Sequence, residues 1–403
     1  MKLGCFANLL LQSSDTVLSS ALGQIPSQDA FLKEATVSFV RNAAQVPHRR
    51  SLLRGLALTA AIIATGLFSV RAVLAAQTVN VLETGSSLLY PLFNLWVPAF
   101  GHVHPEVRIT TQSTGSGTGI SQSIAGIAQI GASDAYLSNA LEHMHPDMLN
   151  IPLAISMQMV NYNLPGLNHT HLKLSGPVLA GIYEGKITNW NDPAIRAMNP
   201  GVNLPNHTII PIHRTDGSGD TFIFTQYLAF STPDWANSLS YGTTVSWPAV
   251  SGGLGAVGNP GMVTALKGNA YAIAYIGTSF QDAIEKDGLG IAKLKNRNGN
   301  FVLPTSATAD AAAAQMVPKT PTDERVSLIF APGANSYPII NYEYAIVNKK
   351  QSSPAMAAAL RTLFTWAISQ SGGNAPHYMA AVHFVPLPAP VAKLSAAQIA
   401  QIQ

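Results

Sequence analysis

Ile209-Ile210-Pro211-Ile212-His213-Arg214-Thr215-Asp216-Gly217-Ser218-Gly219-Asp220-Thr221 is the stretch that decides how this chain folds. An apolar run at 209–212 predicts a strand, a turn of glycines and hydroxyls follows, and Phe222, Tyr227 and Leu228 then mark a helix. The same order occurs twice upstream. Residues 78–82 lead through Thr84-Gly85-Ser86-Ser87 to Leu89, Phe93, Trp96, Val97 and Phe100 at helical spacing. Residues 107–111 lead through Ser113-Thr114-Gly115-Ser116-Gly117-Thr118-Gly119 to Ile120, Ile124 and Ile127. Short apolar runs at 130–132, 151–155, 157–162, 271–276 and 337–347 predict further buried strands, and Leu360, Leu363, Phe364 and Ala367 a late helix. Strands alternating with helices argue an α/β fold with a mostly parallel sheet.

Composition supports a large core. Of 403 residues, 47% are apolar and 11% charged, too apolar for a disordered chain. Seven of the 23 basic and three of the 20 acidic residues lie within 1–76, which leaves 16 and 17 beyond. A broad basic face for nucleic acid is therefore not expected. Any anion must be held by local dipoles and one or two placed cations.

The N-terminal stretch predicts export. Arg49-Arg50-Ser51-Leu52-Leu53-Arg54 precedes an apolar run from Leu56 to Val70, and small residues follow at Ala75 and Ala76. A paired-arginine region, a short apolar segment and a small-residue cleavage site read as a twin-arginine-like signal peptide. Arg71 ends the apolar run short of the roughly 20 residues needed to span a bilayer. Residues 1–76 are thus expected to be an upstream extension plus a cleaved signal, with translation starting near Val46. Cys5, the only cysteine, lies in that segment. A mature chain from 77 onward would have no disulfide, no thiolate metal ligand and no lipid anchor.

The three glycine–hydroxyl loops carry the chemistry. Glycines let backbone N–H groups approach a ligand, hydroxyls add rotatable donors, and each helix N-terminus favours an anion. None ends in the Gly-Lys-Ser/Thr of a nucleotide loop, so a small oxyanion fits better. In Gly131-Ala132-Ser133-Asp134-Ala135 an acid follows a strand among small residues, where burial is expected. Asp216 is placed to orient Arg214, whose guanidinium can fork onto two ligand oxygens. The pairs His102/His104, His143/His145 and His169/His171 lack the acid or cysteine spacing of a closed metal site and read as surface residues. Trp190 and Trp247 read as core or interface anchors.

Thr84–Ser87 with Tyr90-Pro91, Gly115-Ser116, Gly131–Asp134, Asn163-Leu164-Pro165-Gly166-Leu167, Ile182-Tyr183-x-Gly185-Lys186-Ile187-x-x-Trp190-x-Asp192 and Arg214-x-Asp216-Gly217-Ser218-Gly219 occur in this order. Together they resemble the periplasmic phosphate-binding protein of the ABC phosphate importer, the PstS type, from about Val79 to Pro388. The resemblance implies a two-domain, hinged, type II-like periplasmic-binding-protein fold, each domain a mostly parallel sheet flanked by helices, with the ligand in the interdomain cleft. The expected domains are 77–161 with 338–403, and 162–337.

By matched position, the resemblance implies that Ser116 and Ser218 donate hydroxyls, Gly219 and Tyr90 donate backbone N–H groups, and Arg214 its guanidinium, held by Asp216. Asp134 would accept a proton carried by phosphate, and Thr221 belongs to the same loop. Two positions depart from the commonest pattern. Leu89 stands where many members have a hydroxyl residue, so Ser86 or Ser87 substitutes or one bond is lost. Asp220 stands where many have Thr, and its role stays open. The implied function is high-affinity extracytoplasmic capture of inorganic phosphate by a monomer without a cofactor, and delivery to the transmembrane subunits of an ABC permease in the periplasm. Two alternatives remain: a phosphatase-like enzyme using Ser116 or Ser218, against which no motif-linked histidine base is seen, and a receptor for another tetrahedral oxyanion such as arsenate.

Overall fold

The architecture follows from one strand that is apolar on both faces. The computed structural model describes residues 78–403; the export signal, its cleavage point and Cys5 lie outside the described residues. Among the described residues there are twelve strands: β1 (Val79–Gly85), β2 (Val107–Ser113), β3 (Ile130–Ser133), β4 (Met148–Tyr162), β5 (Lys173–Leu174), β6 (Ile210–Arg214), β7 (Leu254–Ala256), β8 (Ala272–Gly277), β9 (Gly290–Ile291), β10 (Lys293–Lys295), β11 (Phe301–Val302) and β12 (Ile340–Asn348). The helices of eight residues or more are α1 (Tyr90–Val103), α2 (Ser116–Ile124), α3 (Gly176–Tyr183), α4 (Gly219–Ser231), α5 (Gly258–Gly268), α6 (Ser306–Met316), α7 (Pro354–Ala367) and α8 (Ala389–Ile399).

Nine strands form one sheet in the order β2-β1-β3-β12-β4-β8-β6-β7, with β9 added beside β4. Pairing is parallel at both ends, β1 with β2 and β3, and β6 with β7 and β8. The centre is antiparallel, because β12 returns between β3 and β4, and β4 runs against β8. The mixed α/β class is as expected. The two apolar runs at 151–155 and 157–162 are a single strand of 15 residues, every one buried. Ser156 and Gln158 interrupt the apolar pattern without ending the strand, since both find polar partners inside. Up to Met157, β4 pairs with β12; from Gln158 onward it pairs with β8.

Helices cover both faces. α1 turns Leu92, Phe93, Trp96 and Phe100 inward, and Trp96 Nε1 donates to Gly373 O at 2.9 Å. α7, capped by Ser353 on the Met356 N–H, sets Trp366 edge-on against Trp96 and Phe100. α4 is buried from Gly219 to Ala229, all round rather than on one face. Its polar side chains are satisfied internally: Thr225 Oγ1 donates to Thr221 O at 2.7 Å, and Gln226 Oε1 accepts from Ser327 at 2.9 Å. Trp190 is fully buried, and Trp247 packs among Tyr183, Trp235 and Tyr275. The polar stretch after Asn296 contains α6, which buries Ala309, Ala312 and Ala313.

Candidate functional site

Each of the three loops leaves the C-terminal end of a strand with a parallel neighbour and enters a helix. After β1, Gly85 lies so close to β3 that a Cβ there would sit 2.0 Å from Ala132 O. Ser86 Oγ accepts the N–H groups of Leu88 (3.1 Å) and Leu89 (3.0 Å), capping the start of α1, and donates its proton to Asp134 Oδ1. Leu89 itself is buried in the core, and the Tyr90 N–H is taken by Ser86 O at 3.1 Å. After β2, Gly115 adopts φ +88°, a conformation open to glycine, and delivers Ser116 to the first position of α2. Ser116 Oγ donates to Asp134 Oδ2 at 3.4 Å and accepts the Asp134 N–H at 3.2 Å.

The loop after β6 meets these from the other end of the sheet. Gly117 N donates to Gly217 O at 2.9 Å, and a Cβ on Gly219 would fall 2.3 Å from Asp134 Oδ2 and 2.4 Å from Ser116 Oγ. Arg214 forks onto Asp216, Nε to Oδ1 at 2.7 Å and Nη2 to Oδ2 at 2.5 Å, while Nη1 reaches Asp220 Oδ2 at 2.7 Å. Ser218 caps α4 by accepting the Thr221 N–H at 3.2 Å, and Thr221 Oγ1 shares a 2.8 Å hydrogen bond with Tyr275.

Ser86, Ser116, Asp134, Arg214, Asp216, Ser218, Gly219 and Asp220 are thus brought together. Leu89 and the Thr221 hydroxyl are engaged elsewhere, and Ser87 is tied in through a residue the sequence reading missed. Asn259 Nδ2 donates to Ser87 Oγ at 3.0 Å and to Asp220 Oδ2 at 2.9 Å, and its Oδ1 accepts the Gly277 N–H at 3.0 Å. In sequence, Asn259 before Pro260 reads as no more than a helix start. Gln158 was missed too; its Nε2 holds Asp220 Oδ1 at 3.1 Å. A long polar side chain in a fully buried, largely apolar strand is the one signal that pointed to it.

Electrostatics separate the acids. Burial opposes charge on Arg214, but Asp216 and Asp220 outweigh it and hold the guanidinium protonated above its usual range. Burial also opposes ionisation of Asp216, yet the Arg214 bonds keep its carboxyl below the usual range. Burial and the Asp134 charge push Asp220 up to about 7, against the pull of Arg214. Burial likewise raises Asp134, opposed by hydrogen bonds from Glu343 and Ser86 and by Arg214. One cation already shared by two acids, beside a third, disfavours a fully ionised anion. An oxyanion carrying protons of its own can hydrogen-bond the carboxyl oxygens instead.

Comparison with known proteins bears on the family and the fold. A family model described as "PBP superfamily domain" matches residues 72–371. The phosphate-binding protein PstS of Methanocaldococcus jannaschii is 34% identical over 336 residues, covering 79% of this chain and 85% of that one. The PstS of Pasteurella multocida is also 34% identical, covering 82% and 93%. Among solved structures, a phosphate binding protein from Stenotrophomonas maltophilia superposes with a TM-score of 0.62 at 20% identity, covering 79% and 93%, a likeness of fold.

Proposed function

Since the chain belongs to the PstS family of phosphate-binding proteins, we propose that its loop cluster binds inorganic phosphate and hands it to an ABC permease. Arg214, Ser218 and the N–H groups at the start of α4 supply donors, and Ser86 and Ser116, whose protons rest on Asp134 here, would turn them to the ligand. Asp134 supplies the acceptor, with Asp220 as a second. The reading is that of a binding protein rather than an enzyme. Ser116 spends its proton on Asp134, and the Ser218 oxygen accepts from Thr221, so neither is paired with a histidine base among the described residues.

The observation that carries the reading is Asp134, fully buried at the convergence of the loops. Phosphate near neutral pH keeps at least one proton, and sulfate has none. Against sulfate, a buried carboxylate would face only lone pairs. A lost bond beside a buried charge costs about 3 kcal/mol, roughly a hundredfold in affinity. Capture would proceed by closure of two lobes, 77–161 with 338–403 against 162–337, because the ligand bonds to both only when they meet. The continuous strand β4, shared by β12 and β8, supports a connection of this kind. We further propose a monomer exported by a cleaved signal into the periplasm; among the described residues no helix is long and apolar enough to cross a membrane.

Equilibrium titration with phosphate, arsenate and sulfate tests the reading. Phosphate should bind at least a hundredfold more tightly than sulfate, arsenate should compete, and Asp134→Asn should erase most of the preference. Equal binding of phosphate and sulfate by the unaltered protein, or phosphate-ester turnover abolished by Ser116→Ala, would overturn it.

A further inference from the structure

β12 carries a second carboxyl into the floor of this site. Its register pairs Tyr344 with Ser133, Ala345 with Ala132 and Ile346 with Gly131. One further step sets Glu343 opposite Asp134, and directly opposed residues of an antiparallel pair share a face. Glu343 is fully buried. Its Oε1 accepts from Ser156 Oγ at 2.5 Å, whereas Oε2 meets no donor, although the carboxyl lies within hydrogen-bonding reach of Asp134. The charged groups facing it are Asp134, just past β3, and Asp220 of α4. Neither β4 nor β12 carries a cation, and the Arg214 guanidinium is taken up by Asp216 and Asp220. Two ionised, buried carboxylates facing each other with an orphaned oxygen between them are untenable.

We propose that Glu343 is a specificity-determining positioning residue, which keeps a proton and donates it in a hydrogen bond to Asp134, so that Asp134 stays an acceptor toward the bound oxyanion. Burial, and then the Asp134 charge, push the Glu343 carboxyl well above the carboxylate range, in agreement with this arrangement. Without that donor, Asp134 would take up a proton itself. A neutral Asp134 donates an O–H as readily to sulfate as to phosphate, so selection would fail before binding does. Glu343 thus acts through Asp134 and needs no contact with the ligand. The inference rests on the phosphate reading above.

Two variants separate the roles. Glu343→Gln keeps a donor toward Asp134 at the same volume, and Glu343→Met fills the space without one. Phosphate and sulfate affinities near pH 7 should give a phosphate-over-sulfate ratio within about threefold of the unaltered protein for Glu343→Gln, and at least about tenfold lower for Glu343→Met. The infrared difference between the unaltered protein and Glu343→Gln should show the loss of a protonated-carboxyl band. Equal weakening of both anions in Glu343→Met, collapse of the ratio in Glu343→Gln, or no such band would overturn the proposal. If the unaltered protein showed no preference for phosphate, the functional reading would fail by itself, and the infrared band would still decide whether Glu343 holds a proton.

Discussion

Gly219→Ala is the sharpest test of how closely the loops are meant to meet. Gly219 opens α4 in helical conformation, so alanine is acceptable to the backbone and the effect is steric alone. The new methyl carbon would sit 2.3 Å from Asp134 Oδ2 and 2.4 Å from Ser116 Oγ. Ordinary contact needs about 1 Å more. Neither neighbour can swing aside: Asp134 is held by Ser86 and Ser116, and the Asp134 carbonyl accepts from Asn341. Overpacking of this kind costs about 1–3 kcal/mol. The α4 start must therefore draw back from Asp134 and Ser116, the juxtaposition that binding requires. Phosphate affinity should fall by roughly ten- to a hundredfold, while the ligand-free melting transition moves little, because parted loops relieve the clash. Titration calorimetry with phosphate measures the first and a thermal melt the second. Gly101→Ala, where an added Cβ meets nothing within 4 Å, serves as the control and should bind normally. Affinity of Gly219→Ala within twofold of the unaltered protein would mean that the loops need not meet this closely to bind.

Asn259→Ala should leave the Gly277 N–H without its partner and strip one donor from Asp220, costing about 1–3 kcal/mol of stability by chemical denaturation and weakening phosphate binding; an unchanged denaturation midpoint would contradict this. Affinity should also depend on pH. Asp220, pushed up to about 7 by burial and by Asp134, would share one proton with the bound anion, which free phosphate and free Asp220 both lose above neutrality. Binding then takes up a proton, and affinity should fall by up to about tenfold per pH unit; titrations between about pH 6 and 9 that stay flat or rise would dispose of the shared proton. Outside the loop cluster, burial pushes Glu324 up to about 8 despite hydrogen bonds from Ser395 and Gln398. The folded chain therefore binds more protons than the unfolded one between the ordinary value of 4.5 and about 8, so stability should fall as pH rises through that window. Urea midpoints near pH 5 and pH 8 should show the drop, and Glu324→Gln should shrink it; Glu83, raised to about 8 by burial, keeps some of the slope in place.

Amino-acid order alone sets the parts governed by local backbone demands. A glycine forced beside a neighbouring strand at Gly85, a positive φ at Gly115 and a serine capping α4 at Ser218 all leave a signature within a few residues. That is why the loops, their helices and the residues on them were legible. Tertiary structure alone decided which of those residues spend their bonds inward, as the Tyr90 N–H does on Ser86 O. It also recruited Gln158, Asn259 and Glu343, each unremarked in its own stretch of chain. These come from β4, α5 and β12, which lie far apart in the chain, and only sheet register and burial bring them to the carboxyls of the site. A polar side chain in a buried strand announces that it has a partner. Which partner it has is set by the strand that pairs beside it, and no local pattern encodes that.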